Sequence, residues 1–119
     1  MKIYRTYRTH SARYIPNLED GHICKTMHGH TFNITIYLDG PINEKTGFVM
    51  DFFDLDKVVK KEIINKIDHK VLNDIEGLKN PSSENLTIFI WNILVRKIDC
   101  LSKVTVSEDR GTGIEYSGE

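Results

Sequence analysis

The segment Thr31-Phe32-Asn33-Ile34-Thr35-Ile36-Tyr37-Leu38 alternates polar and apolar residues and is rich in β-branched and aromatic types. Period two sorts side chains onto opposite faces of a strand, so this run predicts an extended strand with one buried face. Lys103 to Glu108 alternates as cleanly, and after Asp109-Arg110-Gly111 the residues Gly113 to Tyr116 predict its hairpin partner. Met1 to about Ala12 mixes Ile3, Tyr4 and Tyr7 with threonines and arginines. That mixture predicts a first strand that is exposed or faces another subunit.

Between the two pairs of strands the period changes. Phe52, Leu55, Val59 and Ile63, with Val58 beside them, recur at helical spacing, with Lys57, Lys60, Lys61 and Glu62 on the wet side. Asp51 stands where an N-cap belongs. Leu86, Phe89, Ile90, Ile93 and Leu94, widened by Trp91, form a second stripe behind Ser82 or Ser83. Pro16, Asn17, Asp20 and Gly21 mark a loop, as do Asp39-Gly40-Pro41 and the stretch through Asn73-Asp74, Gly77 and Asn80-Pro81. The order is ββααββ. It predicts one α+β domain over residues 1–119, an antiparallel sheet with two helices on one face.

Strand two is headed by His28-Gly29-His30. Histidines two apart on a strand share a face, and a pair of neutral imidazoles is the natural start of a zinc site needing a third ligand from elsewhere. Cys24, four residues before the pair, fits two roles. It is a fourth ligand of a closed structural site, or a reactive thiol beside an open one.

Sixteen basic against seventeen acidic residues give a net charge of −1. Nothing in this balance suggests a nucleic-acid-coating surface or a polybasic membrane anchor, and it argues for a small-molecule partner. Two cysteines far apart, Cys24 and Cys100, no secretory segment at Met1–Arg5 and no bilayer-length apolar stretch point to a reducing cytoplasm. Cys100, among apolar residues, reads as a small packing residue. At 119 residues the chain is small for an enzyme that must enclose a substrate, so a site shared in a homo-oligomer is expected.

Cys24-x3-His28-Gly29-His30 resembles the signature of the 6-carboxytetrahydropterin synthases, relatives of the 6-pyruvoyltetrahydropterin synthases. The likeness continues in family order. It takes in Gly21-His22-x-Cys24, Thr46 to Phe52, Asp68-His69 with Leu72-Asn73-Asp74-Ile75, Asn80 to Leu86, and the closing Glu108…Gly113-Ile114-x-Tyr116-x-Gly118-Glu119. The resemblance implies the tunnelling fold, or T-fold, with sheets of several subunits joined into a barrel, most often a hexamer. It implies a lyase that converts 7,8-dihydroneopterin triphosphate to 6-carboxy-5,6,7,8-tetrahydropterin with loss of triphosphate and acetaldehyde, a step towards queuosine and related deazapurines. The sister activity makes the 6-pyruvoyl product; in those enzymes the cysteine usually stands farther before the histidine pair. By the same resemblance Cys24 is the general base, Asp68 and His69 are its proton-relay partners from a neighbouring subunit, Glu108 binds the pterin ring, and Zn²⁺ is held by His28, His30 and a histidine from the end of strand one.

That last position, eleven residues before Cys24, is Arg13. A guanidinium has no lone pair for zinc and carries a fixed charge. His10, three residues earlier, lies on the opposite face of a regular strand and would need a bulge to serve instead. Glu19, Asp20 and His22 are loop alternatives. A two-histidine site completed by water, or a pterin-binding homologue impaired in catalysis and without metal, also fits.

Overall fold

The computed structural model describes all of residues 1–119. Strands β1 (Lys2–Arg13), β2 (His28–Asp39), β3 (Leu101–Glu108) and β4 (Thr112–Tyr116) form one antiparallel sheet in the order β1-β2-β3-β4. The alternation in β2 works as its pattern predicts. Phe32, Ile34, Ile36 and Leu38 are fully buried on one face, joined there by Tyr7 from β1 and Val104 and Val106 from β3. On the other face Tyr4, Thr6 and Arg8 stay exposed, which is the mixed character of β1 made literal.

Helix α1 (Phe52–Val59) opens at Asp51, whose carboxylate accepts the Phe53 amide at 2.8 Å. It runs through a π-helical turn, Lys60–Ile64, into a last short turn, α2 (Asn65–Ile67). The π turn has a cause. The buried residues Leu55, Val59, Ile63 and Ile67 are spaced by fours, and at 3.6 residues per turn such a row drifts roughly 40° per step. A wider turn takes up the drift and keeps the row on the sheet. Helix α3 (Ser83–Leu94), capped by the Ser82 hydroxyl accepting the Asn85 amide, packs Leu86, Ile90 and Leu94 over β3 and β4. Phe89, Ile93 and Trp91 are only partly buried against the same core.

Seventeen buried apolar side chains form one cluster between sheet and helices. Ile36 sits in its middle, so Ile36→Ala is expected to lower unfolding stability by about 2–5 kcal/mol in urea titration. No helix is long and apolar enough to cross a membrane.

Candidate active site

The apolar face of β2 ends at Phe32, and the next two inward positions are His30 and His28. Register then decides what surrounds them. Arg13 lies directly across from His28, Ser11 across from His30, and Glu108 across from Phe32 on the other side. Two histidines, a guanidinium and a carboxylate therefore share one inner corner of the sheet.

The corner is densely bonded. Arg13 Nη2 donates to Glu108 Oε1 at 2.8 Å, and the Ser83 hydroxyl donates to the same oxygen at 2.6 Å. Arg13 Nη1 donates to the Pro81 carbonyl and to Ser83 Oγ, at 3.2 and 3.1 Å. The guanidinium also lies 5.3 Å from the Phe32 ring centroid. Glu108 Oε2 stays free of hydrogen bonds and faces His30 Nδ1 at 3.6 Å. Burial pulls the Glu108 carboxyl up, but the Ser83 hydrogen bond and the Arg13 and His30 charges outweigh it and hold it below the ordinary carboxylate range. Burial first, then the Arg13 and His28 charges, push His30 below 6.5 against the pull of Glu108. A cleft of ≈ 270 Å³ opens beside Arg13 and Glu108, walled by Ile15, Ser83, Thr112 and Ile114.

A depressed Glu108 pKa has a definite sign. Between the folded value and the unfolded value near 4.5, the unfolded chain binds more protons, so stability rises with pH there. The contribution is complete above that window and is lost as pH falls through the folded value. Thermal melts of the wild type should therefore drop more steeply below about pH 4.5 than those of Glu108→Gln, which lacks the titrating group.

Asp68 and His69 follow α2 at the same end of the sheet. Asp68 Oδ1 accepts the His10 backbone amide at 2.9 Å, and Oδ2 lies 3.0 Å from His69 Nδ1. The His69 amide donates to the His10 carbonyl at 2.6 Å, and His69 takes a left-handed backbone with φ 59°. Desolvation, the largest single influence, raises the Asp68 pKa; the His10 amide and His69 together outweigh it, and the net shift is downward. Asp68 thus favours its ionised form, with a carboxylate oxygen beside His69 Nδ1 that suits a proton on that nitrogen. His10, His30 and His69 line one groove of ≈ 530 Å³ together with Gly29 and Thr31.

Cys24 sits in a short 3₁₀ turn, Ile23–Lys25, half-buried, and its thiol makes no hydrogen bond within the chain. The turn is held through the Cys24 carbonyl, which accepts the Ile15 amide at 2.8 Å. One residue before Ile15, the Asn73 side chain accepts the Tyr14 amide and donates to the Tyr14 carbonyl, at 3.0 and 2.8 Å. Sequence reasoning saw Asn73 as loop punctuation and missed this brace; its burial among loop residues is the structural signal. Of the two cap candidates, Ser82 or Ser83, Ser82 takes the role, leaving the Ser83 hydroxyl for Glu108, a partnership the sequence does not signal.

The zinc ligand set that the resemblance implies can now be compared with the side chains present. His28 has the posture of a ligand: Nδ1 can only donate to the Thr26 carbonyl, 2.7 Å away, so Nε2 carries the lone pair, buried and unpartnered. Arg13 does not fit, being a cation already paired with Glu108. His10 is not turned inward, because β1 pairs with β2 without a bulge; its ring bonds Thr31 on the outer face at 3.0 Å. No three His, Cys, Asp or Glu side chains converge anywhere in the chain. The residues present do not fit a three-ligand zinc site.

A family profile described as 6-pyruvoyl tetrahydropterin synthase matches residues 2–119. A 6-pyruvoyl tetrahydrobiopterin synthase of Dictyostelium discoideum is 34% identical over 100 residues, covering 81% of this chain and 74% of that protein. A putative 6-carboxy-5,6,7,8-tetrahydropterin synthase of Archaeoglobus fulgidus is 38% identical over 86 residues, covering 72% and 71%. Among solved structures, the 6-pyruvoyl tetrahydropterin synthase of Caenorhabditis elegans superposes with a TM-score of 0.91 at 24% identity, over 100% of this chain and 96% of that one. That likeness shows the fold, the T-fold.

Proposed function

Since this chain belongs to the 6-pyruvoyl tetrahydropterin synthase family, we propose that it is a lyase acting on the side chain of 7,8-dihydroneopterin triphosphate. Its product in this reading is 6-carboxy-5,6,7,8-tetrahydropterin, with water consumed and acetaldehyde and triphosphate released. The observation that carries a catalytic reading is the Asp68–His69 pair, 3.0 Å apart beside a groove that also contains His30. A carboxylate that fixes one imidazole nitrogen frees the other to take and return protons. The three-residue gap between Cys24 and His28 favours the carboxy product over the pyruvoyl one.

Each residue has a task in this reading. Glu108 Oε2 accepts a ring N–H of the pterin in the cleft beside Arg13. The Cys24 thiolate removes a proton from carbon next to a developing carbonyl, and His69, held by Asp68, carries protons to and from the side-chain oxygens. No hydrogen bond or ion pair joins Cys24 to the dyad within one chain, and the outer face of β1 is exposed. Both features support a homo-oligomeric enzyme whose sites draw on two subunits.

The experiment is incubation of purified protein with 7,8-dihydroneopterin triphosphate. Acetaldehyde with a carboxypterin product supports the reading. Triphosphate loss with a pyruvoyl product and no acetaldehyde moves it to the sister activity, which the Dictyostelium relative's name carries. Pterin binding without either product leaves a binding protein.

A further inference from the structure

The corner formed by Arg13, His28, His30 and Glu108 departs from a metal centre in a specific chemical way. A working zinc site with an open position takes three protein ligands. Here one of the three places is a guanidinium with 8% of its side chain exposed, fastened by Glu108, Ser83 and the Pro81 carbonyl. It brings no lone pair, and its charge opposes any dication in a partly dehydrated space. Glu108, the remaining carboxylate, is committed to Arg13 and Ser83 through Oε1, so recruiting it as a ligand would strip the guanidinium of its counter-charge.

The unpartnered atoms show what the corner suits instead. Arg13 Nε–H, a donor, and His28 Nε2, an acceptor, are both buried without a hydrogen-bond partner. They belong to residues directly opposite each other across the β1–β2 ladder, on the same face. A dication could satisfy only the imidazole. A hydroxyl donates once and accepts twice, so one such group suits both atoms.

We propose that this corner works without a metal ion: Arg13 is its resident cation, and the group it meets is a hydroxyl of the ligand's side chain, donating to His28 Nε2 and accepting from Arg13 Nε–H. The ligand class rests on the pterin reading above; the poor fit of the corner's side chains to zinc does not. With Glu108 balancing Arg13, the corner carries no surplus charge, and a neutral hydroxyl matches it better than an anion.

The test has two arms. In the first, wild type, Arg13→His, Arg13→His/His28→Ala, His28→Ala and His10→Ala are exposed to excess zinc, passed over a desalting column and analysed for metal per chain. Wild type should retain less than about a tenth of an ion per chain, Arg13→His about one, and the double variant little again. Wild type that holds about one zinc, lost in His28→Ala or in His10→Ala, overturns the proposal. Circular dichroism accompanies each protein; should Arg13→His fail to fold, the wild-type count decides alone.

In the second arm, wild type treated with chelator is titrated with neopterin and with 6-methylpterin, which lacks side-chain hydroxyls. Neopterin should bind about tenfold more tightly, unchanged by chelator. Equal affinities, or neopterin binding abolished by chelator, overturn the hydroxyl assignment. Failure of both pterins to bind overturns the pterin reading while the metal count still stands.

Discussion

His69→Asn is expected to lower kcat by about 10²–10⁴-fold while leaving the protein as stable as the wild type. Asparagine is the right substitute because His69 has φ 59°, a backbone conformation that Asn adopts readily and Ala does not. The side chain is 77% exposed, so its removal opens no cavity and strands no buried partner. What disappears is the imidazole proposed as the base, whose Nδ1 lies 3.0 Å from the Asp68 carboxylate. Asp68→Asn should act in the same direction but less strongly, since the imidazole remains and loses only its orienting carboxylate. Single-turnover kinetics would place the loss in the chemical step, with substrate affinity near normal. Loss confined to KM would instead make His69 a binding residue. Mixing His69→Asn with Cys24→Ala chains should restore part of the activity, because an oligomer would then contain some sites with both groups intact.

Glu108→Ala is expected to damage both folding and binding. The carboxylate is the only charged partner of a guanidinium that is almost wholly buried. Removing one member of such a pair leaves an uncompensated charge, at a cost of about 3–5 kcal/mol, measurable by urea denaturation. It also removes the acceptor proposed for pterin ring N–H groups, so binding followed by fluorescence should fall below detection. The isosteric Glu108→Gln separates the two effects: it keeps an oxygen for Ser83 and Arg13 and should retain more stability, while the lost charge and misplaced amide still weaken ring binding. Normal stability in Glu108→Ala would show that Arg13 finds another way to be solvated.

The strands were legible because their signal is local. Alternation in Thr31–Leu38 and Lys103–Glu108 reflects a sheet with one wet face, and the structure buries the expected set. The starts of α1 and α3 were legible for the same reason, through Asp51 and the serines before Glu84. The π turn was written in the spacing of Leu55, Val59, Ile63 and Ile67, yet a tolerant helical template accepts both three- and four-residue steps and conceals it. At the site, His28 and His30 could be placed on one face from two residues of context. What Arg13 does could not be read that way: its partners Pro81, Ser83 and Glu108 lie 68 or more positions along the chain, and only the register of three strands brings them together. Asn73 and Ser83 escaped notice for a related reason, since polar residues in loops and helix starts have local explanations that suffice.

The unwound turn at Lys60–Ile64 has a bearing on how this chain can vary. It works as a counter: upstream, Leu55 and Val59 fix where the helix begins its contact with the sheet, and downstream Asp68 must arrive opposite the His10 amide. One residue more or fewer between those anchors turns everything after it by roughly 100°. The helix could then keep its buried row or deliver the Asp68–His69 pair to β1, but not both. The turn at Asn43–Gly47 closes on its own hydrogen bonds and holds no residue of the candidate site, whereas the tally of residues from Leu55 to Asp68 is as much a part of that site as the side chains that line it.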